Sequence, residues 1–238
     1  MNCKMTWEPA FGKEKQKEMF REFNDKYLGR YSGKDRVLIS LNLESGVGHY
    51  FNPMQLYQIY SYLNLFKKED DIYYGYFKKL AENFDINCNI LDVASGAIPA
   101  FGLIISGKQM ELPNARGTIT MCDPAIVLDT GMSGNMTIVR DKFKKDDIQK
   151  YDLVTGIMPC GVTRDIIEGA CQYNKDFFIG LCGCPQEDDD FDNGKSSIEN
   201  NIEFASDMCS KYNRELIVEN LDYYFTANKP IIYSKKCR

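Results

Sequence analysis

Histidine is nearly absent from this chain: His49 is the only one in 238 residues, and so the only side chain whose ordinary pKa suits a base near neutrality. Long apolar runs are missing too. None reaches the roughly 18 residues that a membrane-spanning helix needs, which excludes such a span. The opening stretch MNCKMTWEPAFGKEKQKE lacks the apolar core of a signal peptide, and we expect no export. The nine cysteines are odd in number and form no evenly spaced framework, so reduced thiols and a cytoplasmic location are expected. A formal charge of −5 argues against a general polyanion-binding surface. There is no internal repeat, and no low-complexity segment beyond the acidic run Glu187 to Asp192.

What remains is a soluble globular composition, with 44% apolar and 26% charged residues. The length suits one α/β domain with a helical extension, or two small domains. Up to residue 85 the pattern is helical: Lys13 to Tyr27, then Pro53 to Phe66, where Pro53 suits a first helical position, then about Asp70 to Phe84. Between the first two lies SLNLESGVGHYF, which reads as a loop and carries His49.

From Cys88 onward the period changes. Seven short β-rich runs follow, NILDV, TITMCD, MTIVRD, YDLVTGIM, DFFIGLC, ELIVENL and KPIIYSK, with helical stretches between the earlier ones. That alternation predicts a doubly wound α/β sheet. Only LDYYFTAN separates the last two runs, too little for a helical crossover, so the sheet is expected to end in an antiparallel hairpin. The helix before that pair, about Ser196 to Tyr212, carries Ile198, Ile202, Ala205 and Cys209 at helical spacing.

The stretch Asn89 to Gly102, NILDVASGAIPAFG, is the most informative. Ile90, Leu91 and Val93 suit a strand covered on both faces. Asp92 interrupts them, and a carboxylate there is costly unless it finds donors. Ala94, Ser95, Gly96 and Ala97 let backbone come close to a ligand, and the helix that follows aims its N-terminal dipole at it.

This corner resembles motif I of the class I S-adenosylmethionine-dependent methyltransferases, an acidic residue followed by small residues and glycines. Asp92, Ala94 and Gly96 fit; Ile98 stands where a third glycine is often found. The resemblance covers about residues 86 to 238 and implies a seven-stranded, mostly parallel sheet ending in an antiparallel hairpin. Residues 1–85 would then form a helical N-terminal cap, and 86–238 the Rossmann-like donor-binding domain.

The same resemblance implies site roles. Asp92, Ala94, Ser95 and Gly96 would hold the methionine portion of S-adenosylmethionine. Asp123, followed by Pro124, would accept hydrogen bonds from the two ribose hydroxyls, although Asp-Pro is also a common turn starter. Asp141 would sit at the adenine edge, and Met158 and Pro159 would wall the donor pocket while Thr163 caps the helix Arg164 to Tyr173.

Cys160 is a candidate catalytic residue, because Pro159-Cys160 is similar to the Pro-Cys pair of cytosine C5 methyltransferases. Glu219 and Asn220, which would be that family's acidic motif, fall on the sixth run rather than the fifth. Cys160 with Cys182 and Cys184 is similar to a branch that includes tRNA ribose-modifying enzymes, whose cysteine pair is followed by histidines; this chain has none there. Three thiols fall one short of four metal ligands unless Cys122 or an acid completes them, so no metal is expected. His49, in a loop over the donor pocket, is the other catalytic candidate.

The expected activity is therefore methyl transfer to an unidentified acceptor. The five carboxylates of QEDDDFDN would repel a phosphate backbone and favour a small molecule or a protein over nucleic acid. The alternative is a non-catalytic S-adenosylmethionine-binding sensor or partner subunit.

Overall fold

The computed structural model describes residues 72–96, 99–126, 135–184, 194–223 and 226–235. His49, Ile98, the QEDDDFDN loop and the two helices expected before residue 70 lie outside the described residues. Helix α1 spans Ile72–Asn83, close to the expected bounds. It buries Tyr73, Tyr76, Phe77 and Leu80, the i, i+3, i+4, i+7 stripe of an amphipathic helix. Then come β1 (Asn89–Val93), α2 (Ala100–Met110), β2 (Thr118–Cys122), β3 (Met136–Val139), a 3-10 turn (Lys145–Lys150), β4 (Leu153–Ile157), α3 (Thr163–Gln172), β5 (Asp176–Gly180), α4 (Ser197–Lys211), β6 (Ile217–Tyr223) and β7 (Thr226–Ser234).

These strands form one seven-stranded sheet in the order β3-β2-β1-β4-β5-β7-β6. The pairs from β3 to β5 are parallel; β7 runs antiparallel to both β5 and β6. The fold is thus the expected doubly wound α/β sheet with a terminal antiparallel hairpin. The hairpin is tighter than its sequence suggests, because most of LDYYFTAN is itself strand and only residues 224–225 separate β6 from β7.

Alternation along the strands sends side chains into two cores. One, against α1 and α2, takes Ile90, Ile119, Met121, Leu153 and Phe178. The other, against α3 and α4, takes Leu91, Val93, Val154, Phe177 and Ile179. Since α1 packs directly on the sheet, the last helix of segment 1–85 contributes to the core of the strand-rich part.

Two local expectations are corrected. Thr163 is the first residue of α3 rather than its N-cap; Val162 holds that position without a side-chain cap. The Thr163 hydroxyl instead donates to the Pro159 carbonyl at 3.0 Å, a back-bond that competes with capping. In α4, closed by a Ser196–Glu199 capping box, the buried side includes Asn200, Asn201, Ala205, Met208 and Cys209, whereas Ile198 and Ile202 are half-buried. The helix docks on α3 as well as on β7, and that double seat turns its Asn201 side inward. Among the described residues no helix is long and apolar enough to cross a membrane.

Candidate functional site

Strand order reverses between β1 and β4: from β1 the chain steps out to β2 and β3, from β4 to β5. Loops leaving the carboxyl ends of β1 and β4 therefore diverge, and open sheets bind ligands at such a switch point. Of the residues proposed for the donor site, Asp92, Ala94, Ser95 and Gly96 lie at the end of β1, Met158 and Pro159 at that of β4, and Asp123, Pro124 and Asp141 at the ends of β2 and β3.

After β1 the chain turns through Ala94 at φ 54° and Gly96 at φ 75°. The left-handed region is ordinary for glycine but costs an alanine roughly 1 kcal/mol or more, so the turn is held by its bonds. The Ala94 and Ser95 amides both donate to the Cys122 carbonyl, at 2.9 and 3.4 Å. The Ser95 hydroxyl donates to the Asp92 carbonyl at 2.7 Å. The Gly96 amide donates to Asp123 Oδ2 at 2.9 Å, so the β1 loop and the end of β2 are one unit.

Asp123 is half-buried and also forms a turn, its Oδ1 accepting the Ala125 amide at 2.7 Å. Asp123 thus starts a turn and also bonds to the β1 loop. Each carboxylate oxygen has a further lone pair for another donor. Pro124 beside it is exposed.

Asp92 lies beneath the loop, 1% exposed. Its Oδ1 accepts the Thr155 hydroxyl at 3.0 Å across the β1–β4 pair, where the two residues are register partners. Its Oδ2 has no hydrogen-bond partner and lies beside Gly102 of α2, where a β-carbon would come within 3.2 Å of it and within 2.5 Å of Met121 Cγ. Burial pushes the Asp92 carboxyl up to about 7; the Thr155 and Ser95 hydroxyls pull it down, Asp123 pushes it up, and the Gly102 amide adds a minor downward pull.

Asp141 sits at the end of β3, exposed. Its carboxylate accepts the Lys142 amide at 2.8 Å and Lys144 Nζ at 3.3 Å, and these contacts, the amide first, hold it below its ordinary value. Its carbonyl accepts the Cys122 thiol at 3.5 Å, which ties the ends of β2 and β3.

On the other side of the switch point, Met158 follows β4 at φ 57°. Its amide donates to the Gly180 carbonyl at 2.7 Å, which clamps the ends of β4 and β5 together. Pro159 is buried, its ring about where a β-carbon on Gly156 would reach, 3.0 Å away. Cys160 is exposed while Cys182 and Cys184 are buried, and the three thiol sulfurs lie within 4.8 Å of one another. Cys160 and Cys182 Sγ are 3.1 Å apart. Contacts with Cys182 and Cys184, then burial, push the Cys160 thiol well up, the opposite of an activated nucleophile. Glu219 is taken up by Tyr233 at 2.8 Å and Lys79 at 3.2 Å on the far edge of the sheet.

Two residues were not singled out beforehand. Thr155 supports Asp92; the signal was a polar residue inside each of two buried runs that pair. Tyr76 of α1 is fully buried with no hydrogen-bond partner for its hydroxyl, and its ring fills the space beside Gly180 that a β-carbon would need, 2.8 Å from Cε1. A helical stripe gives no hint of which aromatic meets a strand end.

No protein-family model matches the sequence, and no curated protein matches it. Similar solved structures include the precorrin-6y C5,15-methyltransferase of Geobacter metallireducens, at 12% identity and a TM-score of 0.45 over 70% of this chain and 88% of that one. Fibrillarin of Aeropyrum pernix with natively bound S-adenosylmethionine shares 10% identity, TM-score 0.45, over 67% and 72%. Human N-acetylserotonin methyltransferase in complex with S-adenosylmethionine shares 11%, TM-score 0.42, over 90% and 70%.

Proposed function

We propose that the protein is an S-adenosylmethionine-dependent methyltransferase acting on a small molecule or a protein. One observation carries this reading: the Gly96 amide bonded to Asp123, which joins a left-handed small-residue turn and a carboxylate on adjacent parallel strands at the switch point. The strand order with its antiparallel β7 supports this choice over a dehydrogenase, as does the chain's resemblance to motif I.

In this reading the Ala94–Gly96 backbone cradles the methionine portion, with Asp92 beneath it. Asp123 takes the ribose hydroxyls with the lone pairs that Gly96 and Ala125 leave free. Asp141 borders the adenine, and Met158 and Pro159 wall the side toward the acceptor. S-adenosylmethionine, when bound, supplies an electrophilic methyl on a sulfonium whose departure needs no protonation. The chain's task is then to align acceptor and sulfonium in line, which by itself removes much of the barrier. Because α1 belongs to the core, the part of 1–85 left to cap the acceptor, His49 included, is what precedes it.

Replacing Asp123 by Ala is expected to weaken S-adenosylmethionine binding by about 1 to 3 kcal/mol, the scale of a hydrogen bond to a charged group, or about fivefold to 150-fold in Kd. Titration calorimetry reads this directly, with circular dichroism as the check on folding. Unchanged affinity would remove the ribose assignment. A wild-type preference for nicotinamide dinucleotides over S-adenosylmethionine would remove the whole reading. Release of S-adenosylhomocysteine in the presence of candidate acceptors then separates a catalyst from a sensor.

A further inference from the structure

We propose that Cys160, Cys182 and Cys184 form a three-thiolate site for Zn2+, with the fourth coordination position left to an exogenous ligand. The three sulfurs come from two different strand ends, Cys160 after β4 and the Cys182-Gly183-Cys184 turn after β5, and yet all lie within 4.8 Å of one another. Thiolates bound at about 2.3 Å to a tetrahedral zinc sit about 3.8 Å apart. The 3.1 Å between Cys160 and Cys182 and the 4.8 Å outer bound bracket that spacing, so adjustments within the side chains suffice.

The scaffold holds this arrangement. The Met158–Gly180 backbone bond fixes the two strand ends, Gly161 turns at φ 80° directly after Cys160, and Gly183 has open space where a β-carbon would stand. Cys182 and Cys184 are buried and Cys160 is exposed, so the trio opens on the Cys160 side. The unpartnered Tyr76 hydroxyl is buried against the last residue of β5, two residues before Cys182.

Thiolate ligands select zinc or copper(I) over magnesium and calcium, which take oxygen, and three protein ligands with an open fourth position is the coordination of a reactive zinc rather than a structural one. Ligand count in the sequence gave the expectation of no metal; a vacant fourth position makes three ligands sufficient. Cys122, a further thiol at a strand end, donates to the Asp141 carbonyl where β2 and β3 end. The site does not rest on the methyltransferase reading.

The test uses the full chain, purified with reductant, loaded with zinc and dialysed against metal-free buffer. About one zinc per chain is expected by mass spectrometry, falling at least tenfold in Cys182→Ser and in Cys184→Ser, and unchanged in Cys88→Ser. Cobalt in place of zinc should give the thiolate charge-transfer band and the intense visible bands of a tetrahedral site. The proposal is overturned if the folded wild type retains no zinc, if the triple serine variant retains as much as wild type, or if Cys160 and Cys182 are isolated as a disulfide. S-adenosylmethionine binding by zinc-free protein, measured separately, shows whether the donor reading survives a negative result.

Discussion

Raising the pH from about 5 to about 8 is expected to destabilise the ligand-free protein, and Asp92→Asn is expected to abolish most of that loss. The cause is a carboxyl buried under the β1 loop, with one oxygen on Thr155 and the other without a partner. Unfolded, it titrates near its ordinary 3.8; folded, burial carries it to about 7. Below the unfolded value both states hold the proton and stability is complete. Above it the unfolded chain releases its proton while the native one keeps it, so stability declines until the folded value is passed. At about 1.4 kcal/mol per pH unit the loss totals roughly 4 kcal/mol across the two values, of which about 3 kcal/mol falls between pH 5 and 8.

Carboxylates held low do not interfere, and Cys209, which its contact with Cys171 lowers to about 7, adds stability only above that value and equally in wild type and Asp92→Asn. Asp141, Glu199 and Glu219 are shifted downward, so their contributions appear as pH rises through the acid range and are constant in this window. Asparagine keeps an acceptor for Thr155 and has no proton to lose. Urea midpoints across the window for wild type and Asp92→Asn decide the matter. Parallel curves would mean that the carboxyl is ionised in the fold and gripped by donors.

Replacing Arg214 by Ala is expected to cost about 3 kcal/mol, because a buried charge-bearing cluster loses the member that satisfies the others. The Arg214 side chain is 1% exposed and lies 3.6 Å from Asp176 Oδ1. It donates to Ser234 Oγ at 3.1 Å, to the Ser234 carbonyl at 3.3 Å and to Asn174 Oδ1 at 3.1 Å. One guanidinium thus ties the turn after α3, the start of β5 and the end of β7. For a chain of this size the melting temperature should fall by about 10 °C. Arg214 stands at the opposite end of the strands from the proposed donor site, so S-adenosylmethionine affinity of the folded fraction should not change. A drop of under about 1 kcal/mol would mean that solvent replaces these bonds without loss.

The seven strands were readable because parallel neighbours covered on both faces need continuous apolar runs such as NILDV and DFFIGLC, and because a linker as short as LDYYFTAN cannot hold a crossover helix. The corner proposed for the donor was conspicuous for a similar reason: a carboxylate in a buried run and a turn of small residues are both costly within a few residues of chain. Less was visible where two elements meet. Thr155 is an ordinary strand residue until the register sets it against Asp92, and the face that α4 buries depends on α3, which its own periodicity does not encode.

By itself the sequence determined which segments are strands and that the last pair returns antiparallel, since both follow from local sterics and burial. Only the tertiary structure decided that Asp92 is buried and unpartnered on one oxygen, that Gly96 and Asp123 bond across two strand ends, and that Cys160 meets Cys182 and Cys184. These are contacts between residues tens of positions apart, and they arise from strand order and register, which pair the ends of β1 with β2 and of β4 with β5.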